Sequence, residues 1–126
     1  MENKATVKVS VTEENTALSV GSGSLKVFAT PAMLALMEKA ACEAIKDILN
    51  EGETTVGTLL NVQHTAATPI GMEVSATAEL IERDGRKLVF NVTANDESSE
   101  IGKGTHERFI VLADRFTEKT YSKLNK

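Results

Sequence analysis

One stretch sets the terms for the whole chain: Thr30 to Asn50, TPAMLALMEKAACEAIKDILN. It is the single run long and periodic enough to form a long helix. Thr30 suits an N-cap, Pro31 the first helical position, and Asn50-Glu51-Gly52 a helix stop. Advancing about 100° per residue from Leu34 puts Met37, Ala41, Ala44, Ile45 and Ile48 in one stripe, with Leu49 at its edge. Lys39, Glu43, Lys46 and Asp47 fall opposite. Cys42 lies at the margin of the stripe and reads as a small hydrophobe. Glu38 breaks the pattern, only about 40° from Leu34 and about 20° from Ile45, on the face expected to be buried. A carboxylate there is costly unless it is paired or has a job.

The remainder reads as strand. Ala5–Val11 alternates, with Val7, Val9 and Val11 facing one way. After it come a polar turn at Glu13-Glu14-Asn15, a short strand-like TALSV, and Gly21-Ser22-Gly23-Ser24. That glycine-serine run lacks a following Gly-Lys-Ser/Thr and any Rossmann spacing, so it reads as a loop rather than a phosphate cradle. Beyond the helix, Thr54–His64 places Leu60, Val62 and His64 on one face, and Met72–Glu82 places Val74, Ala76, Ala78 and Leu80 inward. Asp84-Gly85 signals a tight hairpin into Lys87–Asn95. A last strand covers Ile101–Leu112, where Gly102 and Gly104 mark a bulge or a close backbone approach. The tail from Asp114 is polar and reads as a short helix or frayed. Together these segments predict an α+β domain over residues 1–126: one long helix wrapped by a curved antiparallel sheet of about five strands.

Composition narrows the partners. A net charge of -4 gives no support for a nucleic-acid or anionic-membrane partner. One cysteine excludes an intrachain disulfide framework and fits a reducing compartment. The start, MENKATVKVS, has no apolar signal region, and no apolar run approaches membrane-spanning length, so a soluble, cytoplasmic protein is expected. Two histidines and one cysteine without ligand-like spacing argue against a metal site. No cofactor is expected.

Three residues carry the parts of an acyl-transfer site. Thr30 at the helix start supplies a hydroxyl, Glu38 two turns on a carboxylate, and His64 at a strand end an imidazole. The amides of the helix N-terminus offer an oxyanion site. Each also has a plain structural reading: a cap, a paired carboxylate, a satisfied strand histidine. A Cys42–His64 pair has no local signature. Near the end, alternation points His106 and Arg108 to one face, where the arginine is either a solvated charge or an anchor for an anion.

At these residues the sequence resembles a known family. The blocks are Val27-Phe28-Ala29-Thr30, Met37-Glu38, Val56-Gly57-Thr58, Val62-Gln63-His64-Thr65-Ala66-Ala67-Thr68-Pro69, Gly85-Arg86-Lys87-Leu88 and Ile101-Gly102-Lys103-Gly104-Thr105-His106-Glu107-Arg108. Together they are similar to the fluoroacetyl-CoA thioesterase-like family, over about Val27 to Val111. The resemblance implies a hotdog fold, a homodimer with active sites at the subunit interface, and hydrolysis of acyl-CoA to free acid and CoA. It maps catalytic roles onto Thr30, Glu38 and His64, and substrate-binding roles onto Gly57 and Arg108. Phe28, inside the first block, is placed with the substrate-binding residues.

The family's fluoroacetate-detoxifying member has an aromatic-rich lid before the first block. Here that region is Val20-Gly21-Ser22-Gly23-Ser24-Leu25, so a short or medium acyl-CoA is the expected substrate. Arg83, Arg86, Lys87 and Lys103 are the basic candidates for the CoA phosphates, or else solvated charges. In one straight helix Thr30 and Glu38 stand about 12 Å apart along the axis. Either the helix begins after Thr30, or two subunits each supply one residue. The rival readings are an enoyl-thioester hydratase and a non-catalytic acyl-CoA-binding module.

Overall fold

The structure, a computed structural model, describes residues 3–125. Its elements in chain order are β1 (Lys4–Ser10), α1 (Ala17–Val20), α2 (Thr30–Ile45), β2 (Glu53–His64), β3 (Glu73–Asp84), β4 (Lys87–Asn95), β5 (Glu100–Leu112) and α3 (Ala113–Tyr121). The five strands form one sheet in the order β1-β3-β4-β5-β2, every neighbouring pair antiparallel. Among the described residues strand β2 pairs with β5 alone, and its other edge is open.

Helix α2 lies in the curve of the sheet because both surfaces are built small. Ala40, Ala41 and Ala44 of the helix and Ala76, Ala78 and Ala94 of the strands are all buried in one core cluster with Met33, Met37, Ile45, Leu88 and Phe90. Short side chains on both layers let helix and sheet approach closely. Gly102 takes this furthest: a Cβ there would lie 2.6 Å from Met33 Sδ. Gly102 and Gly104 pair with His64 and Val62 of β2 and serve close approach there, while on the β4 side a bulge lies beside Gly102: Ala94 pairs with Gly102 and Asn95 with Glu100, leaving Ile101 as the extra residue. Further register shifts fall at Gly57/Leu59 in β2 and Leu80/Glu82 in β3, where they bend and twist the sheet around the helix.

Several local expectations change. The α-helix ends at Ile45, and Lys46–Ile48 continues as a 3-10 turn, so the stop comes before Asn50. The N-cap is Ala29, not Thr30, which is the first helical residue and is left exposed. The buried residues Met33, Leu36, Met37, Ala40, Ala41, Ala44 and Ile45 define a stripe centred roughly 75° round from Leu34. That rotation carries Cys42 out to solvent, contrary to its reading as a marginal core residue. It also moves Glu38 from the middle of the buried face to its border, half-buried. TALSV is helical over Ala17–Val20, not a strand. Thr16 accepts from Ser19 N at its start, and Gly21, at φ 90°, closes it in the left-handed region. In the β3–β4 hairpin Asp84 pairs with Lys87, so the two-residue loop is Gly85-Arg86, with only Gly85 at positive φ. The tail is helical as α3. No described helix is long and apolar enough to cross a membrane.

Candidate active site

The predicted residues gather into two clusters, not one. The first sits where α2 begins. The Thr30 hydroxyl, freed from capping, is 2.7 Å from His64 Nδ1 at the end of β2. The isolated bridge between Val27 and Pro69, together with the bond from Phe28 N to Thr68 O, ties the approach to α2 to the turn after β2. These backbone contacts hold the helix start against the strand end. Thr68 is in turn fixed by donating to Asp96 Oδ2 at 2.7 Å. That hydrogen bond is the main influence holding the Asp96 carboxyl below its ordinary value. His64 Nε2 is buried and has no protein partner among the described residues. Burial pushes the imidazole pKa below its usual 6.5, opposed by the Ala66 backbone. The ring is therefore neutral near pH 7 and able to take up a proton. Beside it a cavity of about 250 Å³ is lined by Ser22, Val27, Phe28, Thr30, His64 and Ala66. Phe28 itself is only 1% exposed and belongs to the core.

The second cluster lies farther along α2. The buried Arg108 side chain reaches Glu38 Oε2 at 3.5 Å, an ion pair whose carboxylate side stays 40% exposed. Arg108 is fixed on its other sides: Nε donates to Thr55 Oγ1 at 2.8 Å and Nη2 to the Thr55 carbonyl at 3.1 Å. Gly57 makes the meeting possible. A Cβ on Gly57 would fall 2.6 Å from Glu38 Oε2 and 3.2 Å from Arg108 Nη1.

Sequence reasoning placed His106 on the same face as Arg108 without including it among the site residues. It is fully buried, stacked on Phe90 with ring centroids 5.9 Å apart. Its Nδ1 is 2.8 Å from the Leu59 carbonyl and its Nε2 is 3.2 Å from Arg108 Nη1. A carbonyl only accepts and a guanidinium only donates, so Nδ1 carries the proton and Nε2 accepts from the arginine. That fixes His106 as the neutral tautomer. Burial lowers its pKa, and the adjacent Arg108 charge lowers it further, against the Leu59 carbonyl and the carboxylates of Glu38 and Glu107. The signal in the sequence was the His-x-Arg alternation; burial was not visible there.

Within one chain the two clusters stay apart. His64 pairs with Gly102 and Gly57 with Arg108, six residues along β5, or roughly 20 Å. Since Thr30 lies inside the helix, a late helix start does not bring it to Glu38. No group of three or more candidate metal ligands occurs among the described residues.

A long helix held in a curved five-stranded antiparallel sheet is the hotdog fold. A solved hot-dog-like protein from Thermanaerovibrio acidaminovorans shares that fold with a TM-score of 0.86 at 24% identity, over 95% of this chain and 89% of the other. The relationship to one family is more specific. Residues 11–114 match the fluoroacetyl-CoA-specific thioesterase family, and the chain belongs to it. The fluoroacetyl-CoA thioesterase of Streptantibioticus cattleyicolor is 46% identical over 98 residues, covering 78% of this chain and 70% of that protein. A solved structure of a fluoroacetyl-CoA thioesterase aligns with a TM-score of 0.89 at 38% identity, over 95% of this chain and 93% of that one.

Proposed function

We propose that this chain is one hotdog thioesterase-like domain, residues 1–126, that hydrolyses a short or medium acyl-CoA to the free acid and CoA. Its active site is shared between two copies. The observation that carries the reading is the split itself: a half-buried carboxylate beside Gly57, and a neutral imidazole with a buried nitrogen unpartnered among the described residues at the other end of the same open-edged strand. A twelve-residue edge strand without proline is a ready template for pairing with another chain. If β2 pairs antiparallel with its copy about a two-fold axis between Leu60 and Asn61, Gly57 of one subunit stands opposite the partner's His64. Hydroxyl, imidazole, carboxylate and a Gly57 backbone amide then share one cleft.

In that cleft Glu38 acts as nucleophile on the thioester carbonyl or as general base for water. His64 moves the proton toward the leaving thiolate, and Thr30 orients the ring through its 2.7 Å bond. Arg108 and the Gly57 amide face the developing charge on the carbonyl oxygen. The cavity beside Thr30 and His64, with Phe28 in its wall, is of a size for a small acyl group. The stretch from Val20 to Leu25 beside it holds no aromatic residue, and this supports a plain short or medium acyl chain as substrate. The soluble composition and one exposed cysteine fit a cytoplasmic setting.

The test is thiol release from a panel of acyl-CoAs by wild type and Glu38→Gln. Release by wild type and its loss in the variant are expected. No release from any acyl-CoA would sink the hydrolase reading, and equal rates would remove Glu38 from it.

A further inference from the structure

Outside the two clusters, one cavity brings together charge that nothing in the catalytic reading uses. It measures about 240 Å³, lies between the β3–β4 hairpin loop, the end of β5 and helix α3, and is lined by Arg86, Val111, Leu112, Arg115, Phe116 and Lys119. Three cations converge there on a chain whose net charge is -4. None of the three forms an ion pair with a carboxylate among the described residues, although Asp114 and Glu118 are their sequence neighbours. Phe116 presents an aromatic surface that is 42% exposed.

The walls are anchored. The Arg86 carbonyl accepts from Ile110 N at 2.8 Å, fixing the hairpin loop to β5, and Ala113 N donates to the Gly52 carbonyl at 2.9 Å where α3 begins. Other basic candidates are engaged differently. Lys87 pairs with Glu107 at 3.6 Å, Arg83 donates to its own loop at Gly85, and Lys103 opens onto a separate polar hollow of the sheet.

We infer that this cavity holds the phosphorylated nucleotide end of CoA, with Arg86, Arg115 and Lys119 binding its phosphates and Phe116 the adenine ring. Two arginines and a lysine suit phosphate oxygens by fork and point-charge contacts. An aromatic face suits a purine. Position agrees with chemistry: Leu112 is four residues beyond Arg108 on β5, about 13 Å along the strand. A thioester at Gly57 and Arg108 thus leaves the pantetheine arm to span the interval to the cavity. The inference rests on the acyl-CoA reading above for its ligand, and its test separates the two.

The experiment compares acyl-CoA with the matching acyl-pantetheine, which lacks the nucleotide, in wild type and in an Arg115→Ala/Lys119→Ala variant. The ratio of KM for acyl-CoA to KM for acyl-pantetheine is expected to rise about tenfold, the size of one or two lost charge-assisted contacts. Calorimetry with adenosine 3′,5′-bisphosphate should show a matching loss of affinity. An unchanged ratio with unchanged binding of the bisphosphate overturns the inference, as does an equal KM rise for both substrates. If wild type hydrolyses nothing yet binds the bisphosphate through Arg115 and Lys119, the hydrolase reading falls and the nucleotide site stands.

Discussion

The two ends of β2 are built on opposite plans. At the Arg108 end four of the five guanidinium N–H groups have partners: Thr55 twice, His106 once and Glu38 once hold the group in one pose and leave one Nη2 hydrogen over. At the His64 end the bond between the Thr30 hydroxyl and Nδ1 is the one side-chain hydrogen bond of the ring among the described residues, and Nε2 has no partner among them. One half is rigid and charged, the other lightly held and neutral. A rigid half can stabilise charge without reorganising, whereas a half with a free nitrogen can move a proton. That complementarity is the ground for proposing one hydrolytic site drawn from both ends.

The largest loss of activity is expected when one end's chemistry is removed. Glu38→Gln and His64→Ala should each lower kcat about 10²- to 10⁴-fold, the range for a lost acid–base group. Steady-state thiol release reads both. Mixing these two inactive variants then tests the sharing. Randomly re-formed dimers should regain about one quarter of wild-type activity, because each heterodimer keeps one intact site. No recovery after verified subunit exchange would place the whole site in one chain.

A subtler change probes the meeting point. Gly57→Ala puts a Cβ 2.6 Å from Glu38 Oε2 in the present geometry. A tenfold or larger fall in kcat/KM is expected, roughly 1.4 kcal/mol of barrier, with little change in melting temperature. Wild-type kinetics in this variant would show that Glu38 need not sit at that glycine.

The smallest effect belongs to His106. Replacing it with Leu leaves Arg108 Nη1 short of a partner, at a cost of about 1–3 kcal/mol in unfolding free energy. Its folded pKa is depressed, so the unfolded chain binds the proton first as pH falls. Its contribution is therefore full above the ordinary value of 6.5 and is lost between there and the lowered folded pKa. Denaturant midpoints measured across that window should fall less steeply with acid in His106→Leu than in wild type. An identical slope would show that His106 does not govern the acid response.

Much of this was legible in the residue order. Alternation locates all five strands within a residue or two, since side chains of a half-buried strand must alternate. Helix α2 was legible in existence but not in rotation. Periodicity gives the width of an apolar stripe, but alanines at 35, 40, 41 and 44 leave its centre ambiguous. The sheet chose the side containing Met33 and Leu36. TALSV misled because a four-residue segment carries almost no period, and its Thr16 and Gly21 caps decided the outcome.

By itself the sequence determined a long helix beside an antiparallel sheet, a misplaced carboxylate and a set of blocks that mark one thioesterase family. Those are consequences of period, turn chemistry and residue type, all local quantities. Only the tertiary structure decided that Thr30 meets His64 while Glu38 meets Arg108, that Gly57 is the space between carboxylate and guanidinium, and that His106 is locked neutral behind them. The Thr30–His64 and Glu38–Arg108 pairings join residues 34 and 70 positions apart, set by sheet register and by how far the helix turns in its cradle. No local pattern encodes either.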